Sequence, residues 1–325
     1  MVKGILMLII ISCFTSSFSF AQSKKIAYTS NATSTGLLQI FTMNEDGSGK
    51  EQITHVDANC LYPKWSHDGT RIAFSTDDDR VFYISASGSA AESYVWKGDN
   101  PIFTNSDEEV IFTSDFDGVL SVYIMGLDEA EPFQISDGYY SNQMRLSADG
   151  SKMIYSSIRE DGKVAMLLDM NDTTDAGPSV LSRIKDAALE PDIAPDNSTV
   201  TYAGFDNNLK GTIYVNTNGS DKAMTRDMSS ANQPRFSPDG KKIGFAVIKG
   251  EENVDLYIMN TDGSSRQKLN IKGGNVGLFE WISDDRILYD AENGKDYSIG
   301  IVNINSGSAD LLTTGGLNLH PDIQK

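Results

Sequence analysis

A short phrase recurs along this chain, and it constrains the fold more than any other feature. The stretch NQPRFSPDGKKIGF at residues 232–245 is nearly repeated as NQMRLSADGSKMIY at residues 142–155. The shared pattern is P-x-[aromatic or Leu]-S-x-D-G, followed by a run rich in β-branched residues. Six copies start at the anchor residues Pro63, Pro101, Met144, Pro191, Pro234 and Phe279, and an unfinished seventh starts at Pro321. The chain is therefore built from copies of one unit.

The spacing and internal pattern of the copies predict a blade-like unit. Successive anchors lie 38, 43, 47, 43, 45 and 42 residues apart, close to the ~40–45 residues of a four-stranded propeller blade. Each anchor reads as a short strand, its Asp-Gly pair as a tight turn, and the following alternating run as a returning strand. A third strand such as DLYIMN at 255–260 and a fourth such as RQKLN complete an antiparallel meander. No helical periodicity competes with this pattern in the mature chain.

The two ends of the chain complete one further unit. Residues 25–54 supply KIAYTS, LLQIFTMN and EQIT, which match strands two, three and four of a unit that lacks its anchor. The anchor at Pro321 supplies the missing first strand. We therefore predict an all-β, seven-bladed β-propeller of four-stranded antiparallel blades, closed by three N-terminal strands plus one C-terminal strand, with six blades as the main alternative.

The N-terminus has the features of an export signal. Lys3 precedes an apolar run from Ile5 to Ile11, and Ser19 and Ala21 occupy the positions expected before a cleavage site. We assign residues 1–21 to a signal peptide and residues 22–325 to a single propeller domain. The alternative is a lipoprotein signal that ends before Cys13, whose acylation would give the only membrane attachment. The predicted location is periplasmic or secreted, or the outer membrane if Cys13 is lipidated.

Charge and cysteine content exclude some functions. The formal charge is −18, from 27 Lys and Arg against 45 Asp and Glu, which disfavours nucleic acid and favours solubility or basic partners. After cleavage only Cys60 remains, so no intramolecular disulfide is available. We expect Cys60 to be a small buried residue rather than a reactive thiol.

The phrase PRFSPDGKKIGF, followed by DLYIMNTDGS, resembles the WD-like repeat of TolB-type periplasmic propellers. The same repeat occurs in the propeller domains of prolyl-oligopeptidase-like peptidases and in oligogalacturonate lyases. The resemblance covers nearly the whole mature chain and implies the fold, whereas one fold hosts many unrelated sites. The printed sequence contains no G-x-S-x-G motif of a serine hydrolase.

Loop variation predicts which face of the propeller binds. The Asp-Gly turns after strands one and three fall on one face and are expected to be short and uniform. The loops after strands two and four fall on the other face and vary, as in SNATSTGL from Ser30 and KGEENV from Lys249. Because binding residues concentrate on variable loops, we expect the functional surface on this variable-loop face.

Polar residues flank the anchors. The residues just before the anchors are expected to ring the channel mouth; they are Tyr62, Asn100, Gln143, Glu190, Gln233, Leu278 and His320. The residues just after the anchors share their strand face; they are Lys64, Ile102, Arg145, Asp192, Arg235, Glu280 and Asp322. We predict that binding residues at the mouth are Tyr62, Asn100, Gln143, Arg145, Glu190, Gln233, Arg235 and His320. Arg145 and Arg235 are expected to pair with an acidic group. The alternative is that these side chains only satisfy strand ends and one another.

The aromatic residues in the anchors are predicted to serve packing. Trp65, Phe103, Phe236 and Trp281 recur at one repeat position, which indicates contacts between blades. Trp96 lies outside that register and is a better candidate for a surface position than the anchor aromatics are. A core position is still the favoured one for Trp96.

No catalytic constellation or metal site emerges, and no cofactor is predicted. Oligogalacturonate lyases, which such propellers resemble, use a histidine-rich metal site, whereas this chain has three histidines without ligand spacing. His67 belongs to an Asp-Gly turn, and His55 and His320 are expected on the variable-loop face. The sequence thus favours a monomeric, exported, non-enzymatic module that binds an envelope protein or peptide, or an oligosaccharide. The alternative is a polysaccharide lyase or hydrolase.

Overall fold

The computed structural model describes residues 24–160, 162–172, 177–182, 184, 186–250 and 253–325. The predicted signal peptide, with Cys13 and Ala21, lies outside the described residues. Across the described ranges the regular structure is entirely β, and no helix there could cross a membrane.

Twenty-eight strands follow one another along the described chain. The first fifteen are β1 (Lys25–Ser30), β2 (Gln39–Asn44), β3 (Glu51–Gln52), β4 (Cys60–Trp65), β5 (Arg71–Thr76), β6 (Arg80–Ser85), β7 (Ser93–Lys97), β8 (Asp99–Phe103), β9 (Glu109–Ser114), β10 (Ser121–Gly126), β11 (Phe133–Gln134), β12 (Tyr140–Leu146), β13 (Lys152–Arg159), β14 (Gly162–Asp169) and β15 (Ser179–Val180). The remainder are β16 (Ala187–Ile193), β17 (Thr199–Phe205), β18 (Gly211–Thr217), β19 (Ser220–Ala223), β20 (Ser230–Phe236), β21 (Lys242–Lys249), β22 (Asn253–Asn260), β23 (Gln267–Lys268), β24 (Asn275–Ser283), β25 (Arg286–Asn293), β26 (Asp296–Asn303), β27 (Ala309–Leu311) and β28 (Asn318–Ile323).

These strands form seven four-stranded antiparallel sheets, which confirms the predicted propeller of seven blades. Blade I has the order β28-β1-β2-β3, and blades II to VII are β4–β7, β8–β11, β12–β15, β16–β19, β20–β23 and β24–β27. The predicted closure is also confirmed, because β28 pairs with β1 and the amide of Gln324 donates to the carbonyl of Lys25 at 2.9 Å. Hydrogen bonds between the two chain ends therefore seal the ring.

The turns after the first strands are similar, and those that begin at Ser66, Ser147 and Ser237 share one hydrogen-bonding scheme. In the turn 66–70, the Ser66 hydroxyl donates to Asp68 at 2.7 Å and accepts the amide of Arg71. Gly69 closes this turn at φ 69°, a left-handed conformation that glycine adopts without a steric cost. Five of the six first turns are five residues long.

The expected uniformity fails for the turns after the third strands. Among the turns that the structure describes in full, the lengths range from two residues at 218–219 to seven at 86–92. These turns pack against the preceding blade, as Gly88 does against Ile53 and Gly263 against Met224, but their lengths still differ. Only the inner part of this face is uniform.

The aromatic anchor residues pack between blades, as predicted. Trp65 belongs to a buried cluster that contains Ala27 and Ile40 of blade I, and Trp281 joins Ala246 and Leu256 of blade VI. Phe103 and Phe236 likewise pack against the preceding blades. Aromatic side chains bury large apolar areas, so this contact joins four of the seven blades to the one before.

Candidate functional site at the central channel

The first strand of each blade lines the central channel, because first strands of neighbouring blades contact one another around most of the ring. Each of these inner strands is interrupted by a register shift against its neighbour. The shift falls at the residue before the anchor. The predicted mouth residues therefore sit at β-bulges, which re-aim side chains at the rims of closed sheets.

The bulge residues share an unusual backbone conformation. Six of the seven have a φ between 51° and 55°, and these are Tyr62, Asn100, Gln143, Glu190, Gln233 and His320. A non-glycine residue in this left-handed region costs roughly 1–2 kcal/mol. Leu278 does not share the positive φ. Each bulge lies at the second to fourth residue of its strand, slightly below the edge of the mouth.

Side chains from preceding blades hold several of these bulges. The amide of Glu190 donates to Oε1 of Gln143 at 3.0 Å, and the amide of Gln233 donates to Oε2 of Glu190 at 2.7 Å. The structure thus joins Gln143, Glu190 and Gln233 across blades IV, V and VI. The bonds fix the side chains of Gln143 and Glu190 against the next bulge and satisfy amides that the bulge removes from the ladder.

A second group forms where the ring closes. The rings of Tyr62 and His320 stack with centroids 4.1 Å apart, and the amide of Tyr62 donates to Nδ1 of His320 at 3.5 Å. Asp290 from β25 accepts the amides of Leu278 at 2.8 Å and His320 at 2.9 Å. In blade VII the Asp290 carboxylate accepts the amide of the next bulge residue, as the side chains of Gln143 and Glu190 do in blades IV and V.

Burial shifts the pKa of Asp290 and of His320 in this cluster. Asp290 is 2% exposed, and its burial raises the carboxyl pKa to about 6 although two amides stabilise the anion. Burial, followed by repulsion from Lys64, lowers the pKa of His320 to about 4. Both groups are therefore held toward their neutral forms.

Asn100 stands apart from the other bulge residues. It is exposed, and within the described part of the chain its amide and side chain bond only to the adjacent Asp99. It lines a cavity of about 290 Å³ at the junction of blades II, III and IV, which Asp79, Asp115 and Tyr140 also line. The structure does not join Asn100 to the bonded groups above.

The residues after the anchors form a second layer, which we call the charged girdle. Its members are Lys64, Arg145, Asp192, Arg235, Glu280 and Asp322. Lys64 pairs with Asp322 of the neighbouring blade at 2.9 Å. Arg145 of blade IV pairs with Glu280 of blade VII at 2.6 Å. Because these blades are three apart in a ring of seven, this ion pair crosses the channel.

The girdle is electrostatically coupled and reached by solvent, since the side chains of Arg145 and Glu280 are 27% and 24% exposed. Burial disfavours the charged form of Glu280, but the positive charges of Arg145, Lys64 and Arg235 together outweigh it, and the pKa of Glu280 falls to about 2. Burial raises the pKa of Asp192. Burial and then repulsion from Arg145 lower the pKa of Arg235, whose only guanidinium hydrogen bond within the described chain goes to the carbonyl of Pro234.

The three histidines occupy separate parts of the propeller. His55 follows the outermost strand of blade I and contacts Gln52 and Glu92, and His67 lies in an inner turn. His320 is in the inner strand β28. Among the described residues, no three His, Cys, Asp or Glu side chains come close enough to hold a metal ion.

The predicted burial of Cys60 is confirmed, and burial raises its thiol pKa to about 12. Trp96 is half-buried against the core of blade III and lies edge-on to the exposed Phe116, with ring centroids 5.9 Å apart. Trp96 is therefore partly in the core and partly at the surface, the two positions considered for it.

Sequence reasoning missed Asp290 and the cross-channel pairing. Asp290 lies in a second strand, ILYDAEN, at a position where the other inner hairpins carry small or hydroxyl side chains. A carboxylate within a strand of otherwise apolar, buried residues was the sequence feature that could have identified Asp290. Nothing in the sequence marked Arg145 and Glu280 as partners.

Comparison with known proteins gives a consistent family assignment. The family model described as the TolB beta propeller domain matches residues 11–177 and 163–325. Dipeptidyl-peptidase 5 of Porphyromonas gingivalis is 25% identical over 272 residues, which are 77% of this chain and 40% of that protein. The Tol-Pal system protein TolB of Francisella tularensis subsp. mediasiatica is 21% identical over 240 residues, covering 70% of this chain and 55% of the relative. The chain thus spans about half the length of these relatives or less.

Solved structures share the fold at low identity. A puromycin hydrolase mutant complexed with PGG has a TM-score of 0.71 at 15% identity, covering 91% of this chain and 53% of that one. TolB from Acinetobacter baumannii has a TM-score of 0.60 at 18% identity, covering 93% and 66%. Oligogalacturonate lyase from Vibrio parahaemolyticus has a TM-score of 0.65 at 14% identity, covering 85% of each chain. At such identities the similarity establishes architecture, and the site must be argued from its own residues.

Proposed function

Since the chain belongs to the TolB beta propeller domain family, we propose that it is an exported, non-enzymatic module that binds a partner at the channel mouth on its variable-loop face. The partner is an envelope protein or peptide, or an oligosaccharide. The module acts as a monomer in the periplasm or outside the cell, or at the outer membrane if Cys13 carries a lipid. The name of the Tol-Pal system protein TolB supports a protein partner in an assembly.

The bonded bulge residues are the observation that carries this proposal. Gln143, Glu190 and Gln233 have left-handed backbones and are tied to one another across three blades. Strain of this kind persists only where the surroundings hold it, and it concentrates at functional sites. Rigid polar groups lose little conformational entropy on binding, so a partner gains affinity from their pre-organisation.

A pull-down from membrane extracts tests the proposal. The wild-type protein should capture a partner, and the double variant Gln143→Ala with Gln233→Ala should capture it at least about tenfold less. Gln267→Ala is the matched control, because Gln267 is exposed on the outermost strand of blade VI. Thermal unfolding of each variant verifies that it remains folded. Equal capture by the double variant and the control would refute binding at the mouth.

A polysaccharide lyase or hydrolase is the second candidate. The fold similarity to oligogalacturonate lyase across 85% of both chains favours it, whereas the scattered histidines do not supply a comparable metal site. Metal analysis of the purified protein and ultraviolet detection of unsaturated products from uronide polymers test this function. A stoichiometric metal together with product formation would replace the binding module by an enzyme.

A further inference from the structure

The charged girdle contains one arginine without a carboxylate partner. Lys64 and Arg145 each pair with an acid, but within the described residues Arg235 has no carboxylate oxygen within 4.0 Å. Its guanidinium donates once, to the carbonyl of Pro234 at 2.8 Å. A guanidinium carries five N–H donors in a fixed fork, so most of the donors of Arg235 have no acceptor among the described residues.

Asp192, one of the acids that attract Arg235, is already engaged elsewhere. Oδ2 of Asp192 accepts the amide of Phe236 at 2.7 Å, just as Oδ2 of Asp322 accepts the amide of Trp65. These two aspartates thus fasten their blades to the following ones. Asp192, Glu190 and Glu280 attract Arg235, but none is within ion-pair distance of it.

The cross-channel ion pair determines what shape of ligand can reach this arginine. Arg145 and Glu280 meet at 2.6 Å from opposite walls and obstruct the channel at the level of the girdle. A partner segment that enters from the variable-loop face is therefore stopped at this ion pair. Such a funnel accommodates the end of a chain better than its middle.

On these grounds we propose that the funnel binds the C-terminal carboxylate of a partner polypeptide, with Arg235 as its principal ligand and Arg145 as a neighbouring positive charge. This proposal rests on the proposed function and names the group that the site recognises. A carboxylate matches the planar fork of arginine in bidentate geometry. Its single negative charge suits a girdle with three positive and three negative side chains, which would oppose a dianion.

The bonded bulge residues above the girdle favour a peptide over a sugar. The backbone amide of Gln233 donates to Glu190, and Oε1 of Gln143 already accepts two hydrogen bonds. The side-chain nitrogen of Gln143 and the side-chain amide of Gln233 would bond an extended backbone. Sugars are commonly bound on open aromatic faces. At this mouth one face of Tyr62 is covered by His320.

Fluorescence anisotropy with short random-sequence peptide pools, labelled at the N-terminus, tests the proposal. One pool ends in a free carboxylate, a second in an amide, and a third in an amide with a glutamate inside the sequence. The free-acid pool should bind wild-type protein at least about tenfold more tightly than either amidated pool. Arg235→Gln should remove that preference. Arg266→Gln should retain it, because Arg266 pairs with Asp227 at the surface.

Each other outcome overturns the inference. Equal binding of free-acid and amidated pools, no binding of any pool, or the same loss in Arg266→Gln would refute a carboxylate site at Arg235. Preference for the internal glutamate would refute recognition of the chain end. If Arg235→Gln stays folded and still captures its partner from membrane extract as the wild type does, this inference fails while the proposed function stands. If the Gln143 and Gln233 double variant also captures normally, the proposed function fails.

Discussion

Asp290 and His320 should give opposite pH dependences to the stability of the closure. The two groups meet where β28 joins the ring, since Asp290 accepts the amide of His320 at 2.9 Å. The perturbations are Asp290→Asn and His320→Asn. The second keeps an acceptor near the position of Nδ1, which receives the amide of Tyr62.

For Asp290, the folded protein holds the proton more tightly than the unfolded chain. Burial raises its pKa from 3.8 to about 6, and this difference corresponds to about 3 kcal/mol. The contribution of Asp290 to stability is fully present below the unfolded pKa. It is lost as the pH rises through about 6.

For His320 the sign is reversed. Burial, followed by Lys64, lowers its pKa from 6.5 to about 4, again worth about 3 kcal/mol. The contribution of His320 is fully present above the unfolded pKa and is lost as the pH falls through about 4. In the wild-type protein the two contributions nearly cancel over the window between these values.

Urea unfolding across that window provides the assay. Asp290→Asn should become more stable as the pH rises, because only the His320 contribution remains. His320→Asn should become less stable as the pH rises, and the double variant should be nearly flat. Asp290→Asn should also lose about 1–3 kcal/mol at every pH, since one amide loses its acceptor. Parallel pH profiles for the two single variants would refute the reasoning.

Three further predictions follow from packing and closure. Trp281→Phe should lower the free energy of unfolding by about 1–2 kcal/mol more than Trp65→Phe does, as measured by chemical denaturation. The indole N–H of Trp281 donates to the carbonyl of Arg235, whereas the buried indole N–H of Trp65 has no acceptor among the described residues. Equal losses would contradict that assignment. Cys60 should resist a thiol reagent in native protein and react once urea unfolds blade II, whereas rapid native labelling would show that the site is open. Deleting residues 318–325 should abolish a single cooperative thermal transition, because β1 loses its only inner neighbour; an unchanged transition would mean that β28 does not seal the ring.

The blade count was predictable because its determinants are local. The turn phrase from Ser66 to Arg71 encodes its own hydrogen bonds, and its recurrence fixes where each first hairpin lies. The closure by β28 followed from counting strands at the two ends. Uniform turns after the third strands were wrongly expected, because these turns do not repeat one sequence phrase and their lengths differ.

The candidate site was only partly predictable. The position before each anchor identified the bulge residues, but Tyr, Asn, Gln, Glu and His share no local signal for a left-handed backbone. That conformation comes from pairing between strands and from acceptors on preceding blades, such as Gln143 and Glu190. The ion pair of Arg145 with Glu280 depends on the diameter of the ring, and this diameter cannot be read from the sequence.

The ion pair across the channel also acts as a mechanical strut. Contacts between adjacent blades tolerate small tilts, whereas a contact between opposite walls lengthens whenever the ring dilates. A guest that pushes the walls apart must stretch Arg145 away from Glu280 before it can advance. The distance between these two side chains therefore measures how far the central channel has widened.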